Sequence, residues 1–226
     1  VLRRSRFNLF QAGIMGSARN DYIQIDRLPL GHFDTNSYII TCRLTGDSVL
    51  VDAPAEAAKI LKQLKGTNPQ YILITHTHMD HIGALPEVKS KLGIPVAVHH
   101  LEAKNLSTQS DILLGDDDMV SFGKITLKVL HTPGHTPGSL CYLTGKRLIS
   151  GDTIFPGGPG KTQLPTDLRQ IIESITSKIF ILPEDTQIYP GHGDYTILKK
   201  EKAEFKIFSS RSHDPNLCGD VLWLSS

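Results

Sequence analysis

The 226-residue chain has only three cysteines, Cys42, Cys141 and Cys218, too few and too scattered for a disulfide framework. A small secreted scaffold stapled by disulfides is therefore excluded, and a reducing, cytoplasmic setting is expected. Net charge is nearly absent too, with 24 Lys+Arg against 23 Asp+Glu. The chain thus has no electrostatic footprint for nucleic acid. No apolar run approaches the roughly 18 residues of a spanning helix, so no membrane partner is expected. Acidic residues are missing from residues 1–20, which carry four arginines. This segment is expected to be a frayed basic extension, leaving 21–226 as a single domain of ordinary globular composition.

What is present is a rhythm of short apolar runs and helical patterns. NSYIITC (36–42) and SVLVDA (48–53) read as strands around a Gly46-Asp47 turn. Ala57, Ile60, Leu61 and Leu64 recur at helical spacing, with Pro54 near the start. YILIT (71–75) has the length of a strand buried on both faces. A helix near 85–92 and a strand at 95–98 follow. The second half repeats the pattern with strands at 125–131, 139–144 and 147–152. Leu168, Ile171, Ile172, Ile175 and Ile179 then mark the clearest helix, with Thr166 as its expected N-cap. A last strand covers 186–190. Strands then helix, twice over, predict an α/β fold in which two packed sheets carry helices outside.

The densest chemistry lies in ITHTHMDHIG (74–83). His76 and His78 stand two apart at a strand end, where side chains i and i+2 point the same way. Asp80 and His81 follow in a turn. Four such groups exceed the three protein ligands of one catalytic zinc, which points to two metals. A structural zinc would favour cysteine and close all four positions. Further ligands are expected at other strand ends, and His135, Asp152 and His192 fit, each in a glycine-rich turn.

His76-x-His78-x-Asp80-His81, with His135, Asp152 and His192 downstream, resembles the complete ligand set of the metallo-β-lactamase superfamily over about residues 22–195. The resemblance implies a four-layer αββα sandwich and two divalent metal ions, zinc foremost, with iron or manganese as alternatives. It implies His76, His78 and His135 on one ion, Asp80, His81 and His192 on the other, and Asp152 as a bridge. A hydroxide shared by two ions about 3.5–4 Å apart would attack a carbonyl, with Asp80 as the catalytic carboxylate orienting it. No Gly-x-Ser-x-Gly elbow offers a serine nucleophile instead.

Within the superfamily, true β-lactamases usually differ at the positions of His81 or Asp152. RNA-processing branches add a domain or arm, and flavodiiron enzymes add a flavin domain. GDTIFPGGPGKT (151–162) is similar to the loop of the glyoxalase II group, the hydroxyacylglutathione hydrolases and related persulfide dioxygenases. Lys161 falls where that group keeps a basic residue for a glutathione carboxylate. The implied activity is hydrolysis of a thioester or related small ester, with a glutathione conjugate as candidate substrate. The alternative is a mononuclear iron persulfide dioxygenase. Two departures stand out: only 34 residues follow His192, and Asp194 occupies the place of an expected tyrosine, with Tyr195 one further on.

Other residues carry plainer expectations. Asp52 can hydrogen-bond a ligand or serve a turn. His131 reads as a packed strand-end histidine, and His99 and His100 as starting a helix or facing solvent. His32 is a minor candidate for the pocket wall. GGPGKT is no phosphate loop, since Phe155 stands where the first glycine is needed. GDDD (115–118) reads as a solvated turn, and SHDPNLCGD (212–220) as a tail packed on the domain.

Overall fold

The computed structural model describes residues 22–226, so the expectation for the basic segment 1–20 falls outside the described residues. The first sheet takes β1 (Ile23–Leu30), β2 (Thr35–Cys42), β3 (Asp47–Val51), β4 (Asn68–Leu73), β5 (Val96–His99) and β6 (Ile112–Leu114) in sequence order. Its first three strands meander antiparallel, and β3 to β6 run parallel. Three helices punctuate it: α1 (Ala57–Gln63), the single turn α2 (Met79–Ile82) and α3 (Leu85–Leu92).

The second half begins with β7 (Met119–Phe122), β8 (Ile125–His131), β9 (Leu140–Thr144) and β10 (Arg147–Gly151). A small ribbon follows, β11 (Ile154–Phe155) with β12 (Gly158–Pro159), and then α4 (Pro165–Ser174). The chain closes with β13 (Gln187–Pro190), β14 (Thr196–Ile197) and α5 (Leu198–Ser209). The second sheet has the order β14-β13-β10-β9-β8-β7, with β13 parallel to β10.

The two-residue period of β2 explains the layering. Every residue of β2 is buried, because its alternate side chains enter different cores. Tyr38 and Ile40 meet Leu127, Val129 and Tyr142 between the sheets. Ile39 faces outward, where α1 and its C-cap supply Ile60 and Leu64 and α3 supplies Leu85 and Val88. On the far side, Leu130, Leu148 and Ile188 pack against Leu168 and Ile171 of α4 and Phe208 of α5. Three apolar layers thus separate four structural layers, the expected helix–sheet–sheet–helix sandwich. Among the described residues no helix is long and apolar enough to cross a membrane.

Some local expectations are corrected. α4 is capped by Leu164, not Thr166: Leu164 is extended (φ −125°, ψ 153°), and its N–H donates to Asp167 Oδ2 at 3.0 Å. Pro165, with its preset φ, opens the helix, so Thr166 falls inside the first turn. The apolar spacing does continue to Ile179, but residues 175–179 widen into a π-helical turn. β4 starts at Asn68 and ends at Leu73, because its polar first half still pairs with β3. The 212–220 tail does pack on the domain: His213 stacks on Phe208 with ring centroids 3.9 Å apart, and Gly219 exchanges backbone hydrogen bonds with Thr162. Beyond it, Trp223 is fully buried edge-on to Phe205 and Phe208.

His99 is neither a helix start nor a solvent residue. It closes β5 at 2% exposure and stacks on His131 of β8, with ring centroids 4.1 Å apart. The His99 side chain shares the face of Ala97, which lies in the core between the sheets, and only His100 reaches solvent. His131 is the packed strand-end residue expected, donating from Nε2 to the Pro137 carbonyl at 2.9 Å.

Burial, reinforced by the imidazoles of His131 and His100, pushes the His99 pKa down to about 4 against a weaker pull from Glu102. An unfolded chain therefore takes this proton near pH 6.5 and the folded chain only near 4. The stability contributed by neutral His99 is present above pH 6.5 and is lost as pH falls to 4. Urea unfolding of wild type and His99→Asn should show the wild type losing about 2 kcal/mol more than the variant over that window. Parallel pH profiles would refute it.

Candidate metal centre

β4 of the first sheet and β8, β10 and β13 of the second all end at one edge of the sandwich. The seven predicted side chains lie just beyond those ends. Hydrogen bonds across the sheets set the register there. Tyr142 donates its hydroxyl to the Ile74 carbonyl at 2.8 Å, and Leu140 N–H reaches the Thr75 carbonyl at 2.8 Å. Tyr38 donates to the Pro190 carbonyl at 2.7 Å, and Asn36 N–H to Gly191 at 2.7 Å. The loops of His76 and His192 are thereby fixed to the opposite sheet.

All seven candidates come together. His76, His78 and His135 form one group, and Asp80, His81 and His192 another. Within each, one donor atom per residue lies within 4.8 Å of the others. Asp152 reaches toward both, with Oδ2 3.5 Å from His135 Nε2 and 3.6 Å from His192 Nε2. Its Oδ1 is 3.3 Å from His81 Nε2.

The far sides of the rings settle which nitrogens face inward. His135 and His192 must carry protons on Nδ1, because these donate to the carbonyls of Lys161 (2.7 Å) and Phe33 (2.9 Å). His81 Nδ1–H donates to Asp52 at 2.7 Å. Thr75 gives its own hydroxyl proton to Asp52 at 2.7 Å, so it accepts from His76 Nδ1–H at 3.1 Å. Four Nε2 atoms are left turned toward one another and toward carboxylates, an arrangement that calls for a cation, a proton on His81 or a metal ion. Two orphaned atoms say the same. His81 Nε2 and Asp152 Oδ1 are buried without a hydrogen-bond partner among the described residues. Gly191 keeps that cradle open, since a Cβ there would lie 2.0 Å from Asp152 Oδ1. The donor set fits a metal site of mixed imidazole and carboxylate type.

Electrostatics follow the same division. Burial, with the surrounding imidazoles, holds His76 well below the ordinary histidine range. Burial and His135 lower His78 as well. Burial also works against a charge on His81, but Asp52 and Asp152 outweigh it and raise His81 to about 10. Asp152 is held far below the usual carboxylate range, because His81 and its neighbours overcome its burial. A bound cation has to displace the His81 proton.

Of the two roles open to Asp52, the structure shows the first. Buried at the end of β3, it accepts from Thr75 N–H, the Thr75 hydroxyl and His81. Its backbone is left-handed (φ 57°), a conformation that costs a non-glycine residue energy and recurs at functional positions. Thr35 and Glu102 were not legible as site residues. Thr35 donates to Asp80 Oδ2 at 3.3 Å, and Glu102 sits buried beside Thr77.

Among the described residues, three hollows flank the centre. Lys161 lines one of about 320 Å³, together with Phe155, Asp220, Val221 and Leu222. The tail therefore walls the site as well as packing on α5. Lys161 Nζ lies 3.2 Å from Asp220, both side chains being exposed. A polar hollow of about 380 Å³ opens past His78 and His135 onto Asn105, Gln163 and Gln170. An apolar one of about 230 Å³ beside Asp80 is lined by His32, Phe33 and Met79.

The model of the metallo-beta-lactamase superfamily matches residues 30–192 of the chain. A hydroxyacylglutathione hydrolase of Pelagibacter ubique (strain HTCC1062) is 35% identical over 185 residues, covering 80% of this chain and 74% of that protein. Among solved structures, the BLEG-1 B3 metallo-beta-lactamase superposes with a TM-score of 0.73 at 33% identity, covering 80% of this chain and 97% of its own. ETHE1 from Myxococcus xanthus gives 0.74 at 26% identity, over 84% and 86% of the two chains.

The support from Asp52 is testable without any substrate. Asp52→Ala leaves three buried donors unpaired and should cost about 3–5 kcal/mol in urea unfolding. Asp52→Asn tolerates the left-handed backbone and keeps one acceptor, so its cost should be clearly smaller. Equal costs for the two variants would overturn this account.

Proposed function

The chain belongs to the metallo-β-lactamase superfamily, and we propose that its centre hydrolyses a thioester or related small ester in the manner of a hydroxyacylglutathione hydrolase. The observation that carries this reading is the position of Asp152, within reach of both three-residue groups at once. His76, His78 and His135 would hold one divalent ion, Asp80, His81 and His192 a second, and Asp152 would join them. Ions bound there would supply Lewis acidity toward a carbonyl oxygen and would acidify water toward neutral pH.

The chain's own residues do the rest. Asp80 keeps its carboxylate at the mouth of the site, steadied by the Thr35 hydroxyl, where it can orient an attacking water. Lys161 offers a cation to an anionic thiol carrier from the wall of the hollow that opens on Asp152 and His192. The polar hollow beyond His135 leaves room for the other half of a thioester. The likeness to the Pelagibacter ubique hydrolase supports glutathione as the carrier. The free cysteines, two of them buried, support a cytoplasmic setting.

One observation favours a second reading. His135 Nε2 lies 3.5 Å from Asp152 Oδ2 and 2.9 Å from His78 Nδ1, and the His76 and His135 ring centroids are 4.8 Å apart. Asp152, His135 and either His76 or His78 thus offer the two-histidine, one-carboxylate composition of a mononuclear iron oxygenase triad. A persulfide dioxygenase would use that group alone.

Metal analysis and assay of the purified chain separate the two. Close to two zinc ions per chain are expected, with cleavage of a hydroxyacyl-glutathione thioester that falls at least about 100-fold in Asp152→Ala. A fully loaded protein holding one metal and inert toward thioesters would reject the proposal. Oxygen uptake with glutathione persulfide by that iron-loaded protein would establish the second reading.

A further inference from the structure

We propose that Glu102 is a positioning residue for the first candidate metal group, its buried carboxylate clasping the loop of His76 and His78 to the loop of His135. The inference rests on the metal-centre reading above. Glu102 stands in the turn after β5 at 2% exposure, where a carboxylate is costly unless donors match its charge. Its donors come from two loops, one to each oxygen. Oε2 accepts from Thr77 N–H at 3.2 Å and from the Thr77 hydroxyl, and Thr77 lies between His76 and His78. Oε1 accepts from Gly138 N–H at 3.0 Å, three residues beyond His135. Asn105 Nδ2 donates to Thr77 Oγ1 at 3.1 Å, which keeps the hydroxyl proton turned to Glu102.

Two further observations fit this clasp. Gly138 has an unremarkable φ, so no turn demands glycine there. A Cβ, however, would lie 2.6 Å from Glu102 Cγ and 3.0 Å from Oε1. The same Cβ would lie 2.9 Å from His99 Nδ1, so glycine is needed because the Glu102 side chain and the His99 ring both come so close. His78 is also unlike the other four imidazoles: among the described residues no hydrogen bond holds its second ring nitrogen. Its Nδ1 nevertheless lies 3.1 Å from His76 Nε2 and 2.9 Å from His135 Nε2. What fixes His78 is the backbone of Thr77, and Glu102 holds that backbone. The second group has separate supports in Asp52, Thr35 and the Phe33 carbonyl.

Zinc uptake by the full chain, measured by chelator competition, tests the assignment one group at a time. In a His192→Ala background, which leaves the first group intact, Glu102→Gln should weaken zinc binding about 10–100-fold. In a His135→Ala background, which leaves the second group intact, the same change should have no effect. Thr77→Ser, which keeps the hydroxyl, should bind as its parent, and Thr77→Val should weaken only the first group. Should Glu102→Gln fail to fold by circular dichroism, the Thr77 pair decides in the same way. Equal losses in both backgrounds would mark Glu102 as an ordinary core residue, and no loss in either would also overturn the proposal. A wild-type chain that takes up no zinc would instead overturn the metal centre itself, and this inference with it.

Discussion

Imidazole nitrogens and carboxylates that point at one another from 2.9 to 3.6 Å repel unless a proton or a metal ion lies between them and a scaffold resists their separation. The rest of the fold answers to that requirement. Donors arrive from two different sheets, so neither sheet can hold the centre alone. The bonds from Tyr142, Leu140, Tyr38 and Asn36 cross between the sheets right at the edge where the donors meet. Behind them, the apolar layer shared by the two sheets prevents the edge from opening. Each inward-facing Nε2 with an anchored Nδ1 is a fixed dipole, set before any ion arrives.

Much of this was legible in the sequence because it is local. Two histidines two apart at a strand end share a side, and a strand ends where its apolar run ends, so His76 and His78 could be placed from residues 71–81 alone. His135, Asp152 and His192 were legible for the same reason. The layering followed from the periodicity of the longer strands and from the apolar stripe of α4. By contrast, β6 and β7 span three and four residues, too few for a period to show. The cap of α4 was misplaced because Pro165 and Asp167 together outbid a threonine that looked suitable in isolation.

The supporting carboxylates were harder to read for a different reason. Asp52 follows β3 and Glu102 follows β5, strands on either side of β4, which carries the histidine loop. Their roles depend on parallel pairing between segments more than twenty residues apart, which no spacing rule encodes. Asp52 drew attention only as the last residue of a strand pattern, and Glu102 lies beyond a short strand with nothing to mark it. His99 was misread on the same ground. Its burial comes from a stack with His131, which only the packing of one sheet on the other creates.

This placement separates what the centre needs from what its surroundings recognise. The donors and their supports sit on strand ends and are tied to both sheets. Two of the hollows are walled largely by side chains outside the donor set, on the Phe33 turn, the loop bearing Lys161, and the tail carrying Asp220 to Leu222. Asp220 and Lys161 meet in an exposed pair, which contributes little to stability, so either can change without disturbing the sheets. Substitution in those walls would alter which molecule reaches the seven candidate donors while the donors' own geometry stays as it is. The B3 metallo-beta-lactamase BLEG-1 and ETHE1 share this scaffold over at least 80% of the chain. The fold therefore fixes the type of centre, and the choice of substrate has to be argued from Lys161, Asp220 and the residues around them.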